Sequence, residues 1–141
     1  MGDQQAIRQL FAVLIAALLT IAFVVPLLAH HSIASEYDAT KAAAITGVIS
    51  KVEWLNPHAW IYLDVKDVNG AVVTWRVEMA SVIGLSRAGL DKSMIDLTKP
   101  YSMEIWPAHD GSKHASGRTL TFADGRTFDV SDKFSQSPIT K

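Results

Sequence analysis

The chain has 141 residues, which is enough for one small core of ordinary domain size. Its formal charge is -1 at pH 7, with 13 Lys and Arg against 14 Asp and Glu, so it lacks the positive field that collects phosphates, and we expect no nucleic-acid partner. The absence of cysteine excludes disulfides, thiolate metal sites and thiol nucleophiles, and it leaves His, Met and carboxylates as metal ligands.

The first predicted element is an apolar helix over residues 10–29. The segment LFAVLIAALLTIAFVVPLLA runs for twenty residues without a charge. In a bilayer such a stretch forms a helix, because every backbone polar group must be paired within the segment. Arg8 precedes the segment and the next cation is Lys41, a weak bias that leaves the amino end in the cytoplasm. The sequence therefore predicts that the rest of the chain is exported.

Residues 1–29 form either a cleaved signal peptide or a single transmembrane anchor. A signal peptide needs an apolar stretch of roughly 7 to 15 residues and small residues before the cut. Ala29 fits this pattern, whereas Leu27 is bulkier than usual. An anchor needs about 20 apolar residues, which the segment supplies. The boundary LLAHHS favours cleavage after Ala29, and His30 would then be the amino terminus.

Residues 30–130 are predicted to form one β domain. β-Branched residues alternate with polar ones over 43–54, which indicates a half-buried strand. The loop LNPHA ends this strand, since Pro57 lacks an amide hydrogen and restricts Asn56. Two further alternating stretches follow, and their apolar faces carry Ile61, Leu63 and Val65 in one and Val73, Trp75, Val77 and Met79 in the other.

The turn between these two strands can be assigned from their register. A two-residue turn at 69–70 would put the two apolar faces out of register. A three-residue loop at 68–70, with Gly70 in the left-handed conformation, pairs Val65 with Val73 instead. The outer face then carries two cross-strand pairs, Tyr62 with Arg76 and Trp60 with Glu78.

The remaining elements complete the predicted fold. Wider spacing of Leu and Met predicts one or two short helical turns over 81–95, and the strand pattern resumes at 99–106 and 117–130, with a tight hairpin at Asp124-Gly125. This order closes most economically as a small OB-like Greek-key barrel, because closure removes exposed sheet edges; a flattened sandwich is the alternative. Residues 131–141 are predicted to form a flexible tail. The fold class is thus mainly β with a short helical insertion, preceded by the N-terminal apolar helix.

Several short motifs in a fixed order resemble a known family. They are His30-His31-Ser32, Glu36-Tyr37-Asp38, Gly47 leading to Trp54-Leu55-Asn56-Pro57-His58, Trp75 with Glu78, Pro107-Ala108-His109-Asp110-Gly111-Ser112 and Ala123-Asp124-Gly125-Arg126. From His30 to about Thr127 the chain resembles the domain-of-unknown-function family 6152 of small exported bacterial proteins. It departs from the family pattern at Ile33, where an aromatic residue is usual, and over 81–90. The resemblance implies export to the periplasm, a compact β domain and a mature chain that starts at or near His30, but no activity.

Three histidines form a candidate copper site. If the chain is cleaved after Ala29, the new terminal amine and the His30 imidazole can close one chelate, and His31 can add a further nitrogen. Amine and imidazole together suit Cu(II) best among the divalent ions, and an amine with a pKa near 8 can give up its proton to a metal. His58 could complete the three-nitrogen site. Alternatively, His30 and His31 are simply polar and flexible, and Asn56-Pro57-His58 fixes a turn.

The candidate surface for a ligand or a partner protein is an aromatic and polar rim. OB-type barrels commonly place the loop between their first two strands beside the binding face. The residues assigned to this surface are Trp54, Asn56, His58, Trp60, Tyr62, Arg76 and Glu78. His109 and His114 are predicted to be solvated loop residues, and Met79, Met94 and Met103 to fill the core.

The sequence favours a non-enzymatic role. It contains no Gly-x-Ser-x-Gly elbow, phosphate-binding glycine loop or HExxH helix. The first hypothesis is a binding or accessory module on the periplasmic side of the inner membrane, which would be a single-span subunit of a membrane complex if the apolar segment is retained. The second hypothesis is a periplasmic copper-binding protein that uses His30, His31 and His58. Oligonucleotide binding is set aside on charge and compartment.

Overall fold

The computed structural model describes residues 33–133 together with Gln4 and Arg8. The apolar segment, His30, His31 and residues 134–141 lie outside the described part of the chain. Among the described residues, none of the helices has the length and apolar character needed to cross a bilayer. The N-terminal apolar helix and the choice between signal peptide and anchor therefore stay predictions.

The described residues are mainly β. The six strands are β1 (Ala43–Glu53), β2 (Trp60–Lys66), β3 (Val72–Glu78), β4 (Pro100–Pro107), β5 (His114–Phe122) and β6 (Thr127–Asp129). The helices are short: α1 (Ile33–Glu36), α2 (Val82–Arg87) and two 3₁₀ turns at Ala39–Lys41 and Lys92–Met94. The helical insertion predicted over 81–95 is confirmed, whereas α1 and the first 3₁₀ turn come from a stretch that the strand pattern did not reach.

The sheet closes on itself as a five-stranded barrel. Its hydrogen-bonded order is β3-β2-β1-β4-β5-β6, and β3 also pairs with β5 in parallel, which joins the two sides. The parallel contact is short, with three register pairs: Arg76 with His114, Val77 with Ala115 and Glu78 with Ser116. This is the predicted OB-like Greek-key barrel, and its closure rules out the flattened sandwich.

The long strand β1 serves both sides of the barrel. Residues 43–48 pair with β4, and residues 48–53 pair with β2 across an irregularity between Ile49 and Lys51. Gly47 lies where β1 passes from one neighbour to the other, and a Cβ atom built there would overlap the carbonyl group of Asp64 in β2. The close approach of the two backbones therefore requires glycine at this position.

Both predicted hairpins are confirmed. Val65 pairs with Val73, Leu63 with Trp75 and Ile61 with Val77, as the three-residue loop requires. Gly70 has a φ of 83°, which lies in the left-handed region that favours glycine. The second hairpin turns at Asp124-Gly125 between β5 and β6, where Gly125 has a φ of 87°.

The barrel interior is filled by apolar side chains from every one of the first five strands. Met79 and Met103 are fully buried and Met94 packs against the core, as predicted. The other large, fully buried side chains of this core are Ile49, Ile61, Leu63, Val77, Leu85, Leu90, Tyr101, Ile105 and Leu120.

Replacing Gly47 by alanine tests the strand crossing. The added methyl group would collide with β2 backbone, so we expect Gly47→Ala to lower the free energy of unfolding by about 2 kcal/mol or more. Thr46→Ala, one residue away, is the control; it loses one exposed hydrogen bond to Ser102 and should cost less than about 1 kcal/mol. Urea unfolding of both variants measures the difference, and equal stabilities would contradict this account of the crossing.

Candidate binding surface and its buried polar network

The strand register brings most of the predicted outer-face residues together. Trp60 lies opposite Glu78 and Tyr62 opposite Arg76, which confirms the predicted cross-strand pairs. The parallel contact between β3 and β5 adds His114, which lies opposite Arg76. We call the outer face formed by Trp60, Tyr62, Arg76 and His114 the Trp60 surface.

Trp60 is contacted by two planar groups on this surface. The guanidinium carbon of Arg76 lies 3.9 Å from the centre of the Trp60 ring, and Arg76 is exposed. The His114 imidazole stacks on the same ring, with 5.2 Å between centroids and 30° between planes. A cation over an indole face is attracted by the ring quadrupole, which contributes about 0.5–1 kcal/mol at an exposed site.

Tyr62 borders the surface on the β1 side. Its hydroxyl donates to Glu53 Oε1 at 3.3 Å, and the Lys51 ammonium lies 4.8 Å from the ring centre. Lys51 also donates to Glu53 Oε1 at 2.5 Å. That hydrogen bond lowers the pKa of Glu53 and raises the pKa of Lys51. The charges on this border are thus paired with each other.

Opposite Trp60 on the neighbouring strand, the Glu78 carboxylate is shared by two side chains. Its Oε2 accepts a hydrogen bond from the Tyr37 hydroxyl at 2.5 Å, and its Oε1 contacts Nδ1 of His58. The other ring nitrogen of His58, Nε2, lies 3.0 Å from Oδ2 of Asp132. The Glu78 side chain is 13% exposed. A carboxylate this far from water needs such partners, because an unpaired buried charge is costly.

Tyr37 connects this carboxylate to the Trp60 surface. Burial raises the pKa of Tyr37 far above its ordinary value, and the hydrogen bond and charge of Glu78 raise it further. The phenol therefore keeps its proton and donates a hydrogen bond to Glu78. The Tyr37 oxygen then accepts from Nε2 of His114 at 3.1 Å, which assigns the proton of that ring to Nε2.

His58 lies between two acceptors. Ionised carboxylates accept hydrogen bonds only, so the contacts to Glu78 and Asp132 are satisfied together when both ring nitrogens carry protons. The result is one connected network, which runs from Asp132 through His58, Glu78 and Tyr37 to His114; Nδ1 of His114 lies 3.5 Å from Glu36. We call the five residues Asp132, His58, Glu78, Tyr37 and His114 the buried polar network; Glu36, whose side chain is 42% exposed, lies beside it.

Of the three histidines of the predicted copper site, only His58 lies in the described part of the chain. Its two nitrogens face Glu78 and Asp132, so a metal would have to displace one carboxylate to bind there. Within residues 33–133, Gln4 and Arg8, no group of three or more His, Asp and Glu side chains is arranged to hold a metal ion. His30 and His31 lie outside the described residues, and the copper hypothesis stays a prediction.

The predicted rim does not act as one surface. Trp54 packs against the barrel core, and Oδ1 of Asn56 accepts the Val82 amide hydrogen at the start of α2, at 3.2 Å. Of the loop residues, His58 alone turns toward the buried polar network, and Trp60 begins β2 on the outer face. The predicted residues that come together are therefore His58, Trp60, Tyr62, Arg76 and Glu78.

Three members of the site were not identified from the sequence. His114 was predicted to be a solvated loop residue, but it is the first residue of β5 and its side chain is 23% exposed. Ser131 and Asp132 were predicted to begin a flexible tail, but Ser131 is buried and Asp132 contacts His58. Tyr37 follows α1 and forms an isolated bridge with Ala108. The predicted strand began at Gly117, whereas β5 begins at His114. A longer strand at this point was the one local indication that His114 is not a loop residue.

The segment that carries Tyr37 is fixed by its own small core. Ile33 and Tyr37 bury themselves against Ala108, and Trp106 packs beside them. The Asp38 side chain then begins the first 3₁₀ turn by accepting from the Thr40 amide at 3.0 Å. The hydrogen bonds from Thr40 and Lys41 lower the pKa of Asp38 from its usual 3.8 to about 2.

Comparison with known proteins adds a family and nothing more specific. A family model matches residues 17–118, well over half of the chain, and it describes a family of unknown function (DUF6152). The matched range contains every member of the Trp60 surface and of the buried polar network except Asp132. No curated protein and no solved structure matches the chain.

Two tyrosine substitutions test the network. Tyr37→Phe removes the hydroxyl that bonds Glu78 and His114, and these buried groups lose a partner. We therefore expect the free energy of unfolding to fall by about 1–3 kcal/mol. Tyr62→Phe is the matched control, because its hydroxyl makes one long bond at the surface and should cost less than about 0.5 kcal/mol. Urea unfolding at pH 7 compares the two, and similar losses would contradict a special role of Tyr37.

The stability contributed by Asp38 should depend on pH. Its pKa is depressed in the folded chain, so its contribution is present above the usual 3.8 and is lost as the pH falls toward 2. We expect Asp38→Asn to be less stable than the parent protein at pH 7, with a difference that shrinks between pH 4 and pH 2. Urea unfolding across this range measures the difference. A difference that is the same at both ends would show that the Asp38 charge is not the cause.

Proposed function

The chain belongs to the family of unknown function DUF6152, and we propose a function from the site itself. The protein is a non-enzymatic binding module on the periplasmic side of the bacterial inner membrane, and its Trp60 surface binds a partner protein. The uncharged segment at residues 10–29 supports this compartment. If that segment is retained, the barrel is the outer domain of a single-span accessory subunit in a membrane complex.

One observation carries this proposal: the Arg76 guanidinium and the His114 imidazole both contact the Trp60 ring on the outside of the closed barrel. The barrel core is complete without these three side chains. Tryptophan, tyrosine and arginine are the residues most often found at the energetic centres of protein interfaces; the two aromatic residues supply large contact areas with few rotatable bonds, and arginine supplies hydrogen-bond donors. Their grouping on one exposed face favours recognition.

The buried polar network supports the same proposal because it holds the surface rigid. Tyr37 fixes the His114 ring by a hydrogen bond and by an edge-to-face contact with 5.4 Å between centroids. His114 in turn stacks on Trp60. A surface whose side chains are already ordered loses less conformational entropy when a partner binds.

The geometry offers less support for catalysis. The ionisable side chains that a reaction would use, Glu78 and His58, are engaged by each other and by Tyr37 and Asp132. A cleft of about 450 Å³ lies on another part of the described barrel, and it is lined by residues 42–44, 104–106 and Arg118. No member of the buried polar network lines that cleft, so it gives them no enclosed space for a substrate.

Cross-linking in native membranes tests the proposal. The full chain carries a C-terminal tag and is treated with a reversible cross-linker before solubilisation. We expect Trp60→Ala to lower recovery of the cross-linked partner at least tenfold, because the substitution removes the ring that Arg76 and His114 contact.

The control for this experiment is Val68→Ala. Val68 is a fully exposed apolar residue in the turn of the β2–β3 hairpin, at the far end from Trp60, and its truncation should leave recovery unchanged. Circular dichroism of both purified variants checks that they are folded. A partner that is recovered equally well with Trp60→Ala would count against the Trp60 surface.

A further inference from the structure

We propose that the partner presents an acidic peptide segment to the Trp60 surface, and that a carboxylate of this segment binds the Arg76 guanidinium. This inference rests on the function proposed above and names the chemistry that the surface recognises. It concerns one exposed cation whose position is fixed by Trp60.

The position of Arg76 suits a carboxylate. Its guanidinium lies over the Trp60 ring at 3.9 Å, so the ring covers one face of the planar group and leaves the N–H donors at the edge. This edge matches the two oxygens of a carboxylate, which it can bind with two parallel hydrogen bonds. Stacking also holds the side chain in place, so less rotational freedom is lost on binding.

The nearby carboxylates form no ion pair with Arg76. No described Asp or Glu oxygen lies within 4.0 Å of the Arg76 guanidinium. Glu78 is bound by Tyr37 and His58, and Glu53 is bound by Lys51 and Tyr62. The closest acidic groups are therefore committed elsewhere, and Arg76 faces solvent with its donors available to a partner.

A second cation lies beside Arg76. The Arg76 amide donates to the Lys113 carbonyl at 2.9 Å, so the two residues are backbone neighbours where β5 begins. Lys113 is exposed, its ammonium lies 4.9 Å from the centre of the Trp75 ring, and no described carboxylate lies within 4.0 Å of it. Trp75 and Arg76 are adjacent in β3, so their side chains point to opposite faces of the sheet, and the Lys113 ammonium over Trp75 is not part of the Trp60 surface.

An acidic protein segment fits these observations better than an anionic membrane does. Binding to anionic lipids generally needs clusters of about 4 to 8 Lys and Arg, whereas Arg76 is the one cation of the Trp60 surface without a carboxylate partner among the described residues. The cation is also surrounded by aromatic rings, Trp60, Tyr62 and His114, which would contact side chains next to the bound carboxylate.

Two matched peptides test the inference on the purified full chain in uncharged detergent. The probes are acetyl-Glu-Glu-Phe-Glu-Glu-amide and the same peptide with Gln in place of every Glu, followed by ¹⁵N NMR. We expect the acidic peptide to shift the Nε–H signal of Arg76 and the indole N–H signal of Trp60, and the Gln peptide to leave both in place. Arg76→Gln should weaken binding of the acidic peptide at least tenfold.

The control variant is Arg126→Gln. Arg126 is another exposed arginine over an aromatic ring, 5.1 Å from the centre of Phe122, but it is paired with Asp124. Its removal should change peptide affinity less than twofold. Equal shifts with the two peptides, no shift with either, or undiminished binding by Arg76→Gln would overturn the inference. It would also fall if phosphatidylglycerol vesicles shifted the two signals and the acidic peptide did not.

The cross-linking experiment separates this inference from the proposed function. If Trp60→Ala loses the partner and Arg76→Gln keeps it, the surface binds a partner without using a carboxylate, and only the inference fails. If both variants keep the partner, the proposed function fails as well. Loss with both variants, together with the peptide result, supports the two proposals.

Discussion

The partly buried Glu78 carboxylate is the constraint on which the rest of the site depends. It lies at the end of β3, is largely shielded from water, and is bound by the Tyr37 hydroxyl and by Nδ1 of His58. Each partner comes from a different part of the chain, because Tyr37 precedes the barrel and His58 lies in the loop between β1 and β2. A charge in such a place is tolerated only when its partners are fully positioned. The carboxylate thus requires order in three separate segments, and that order extends through Tyr37 to His114 and Trp60.

The network also connects the segment before β1 and the segment after β6 to the barrel. Before β1, Ile33 and Tyr37 pack against Ala108 and Trp106. After β6, Asp132 reaches Nε2 of His58. Neither segment belongs to the five-stranded barrel, yet each provides one end of the hydrogen-bonded path. Because His58 is shared by Glu78 and Asp132, it cannot serve a metal without releasing one of these contacts. In the folded chain, the ring nitrogens of the histidine predicted as a third copper ligand contact two carboxylates.

Local pattern predicted the barrel well and the network poorly, for a physical reason. Alternation of apolar and polar residues repeats every two positions, so the faces of β2 and β3, the loop at Gly70 and the pair of Trp60 with Glu78 follow from short-range spacing. The bond between Tyr37 and Glu78 joins residues 41 positions apart, and the bond between His58 and Asp132 joins residues 74 positions apart. The two-residue alternation within a strand cannot predict contacts between residues so far apart in the sequence. His114 was missed because the turn residues before it resemble a loop that continues, while its actual neighbours are set by the parallel pairing with Arg76.

The shortest join in the barrel is the parallel contact between β3 and β5, with three register pairs. Arg76 belongs to β3 and His114 to β5, and both side chains contact the Trp60 ring. Parallel ladders are slightly weaker per residue than antiparallel ones, so this short contact contributes the least backbone pairing of the contacts that close the barrel. A partner bound as proposed above would contact Trp60, Arg76 and His114 at once. It would therefore link β3 to β5 and oppose their separation. The side chains that we propose to bind a partner are therefore also placed to hold β3 and β5 together.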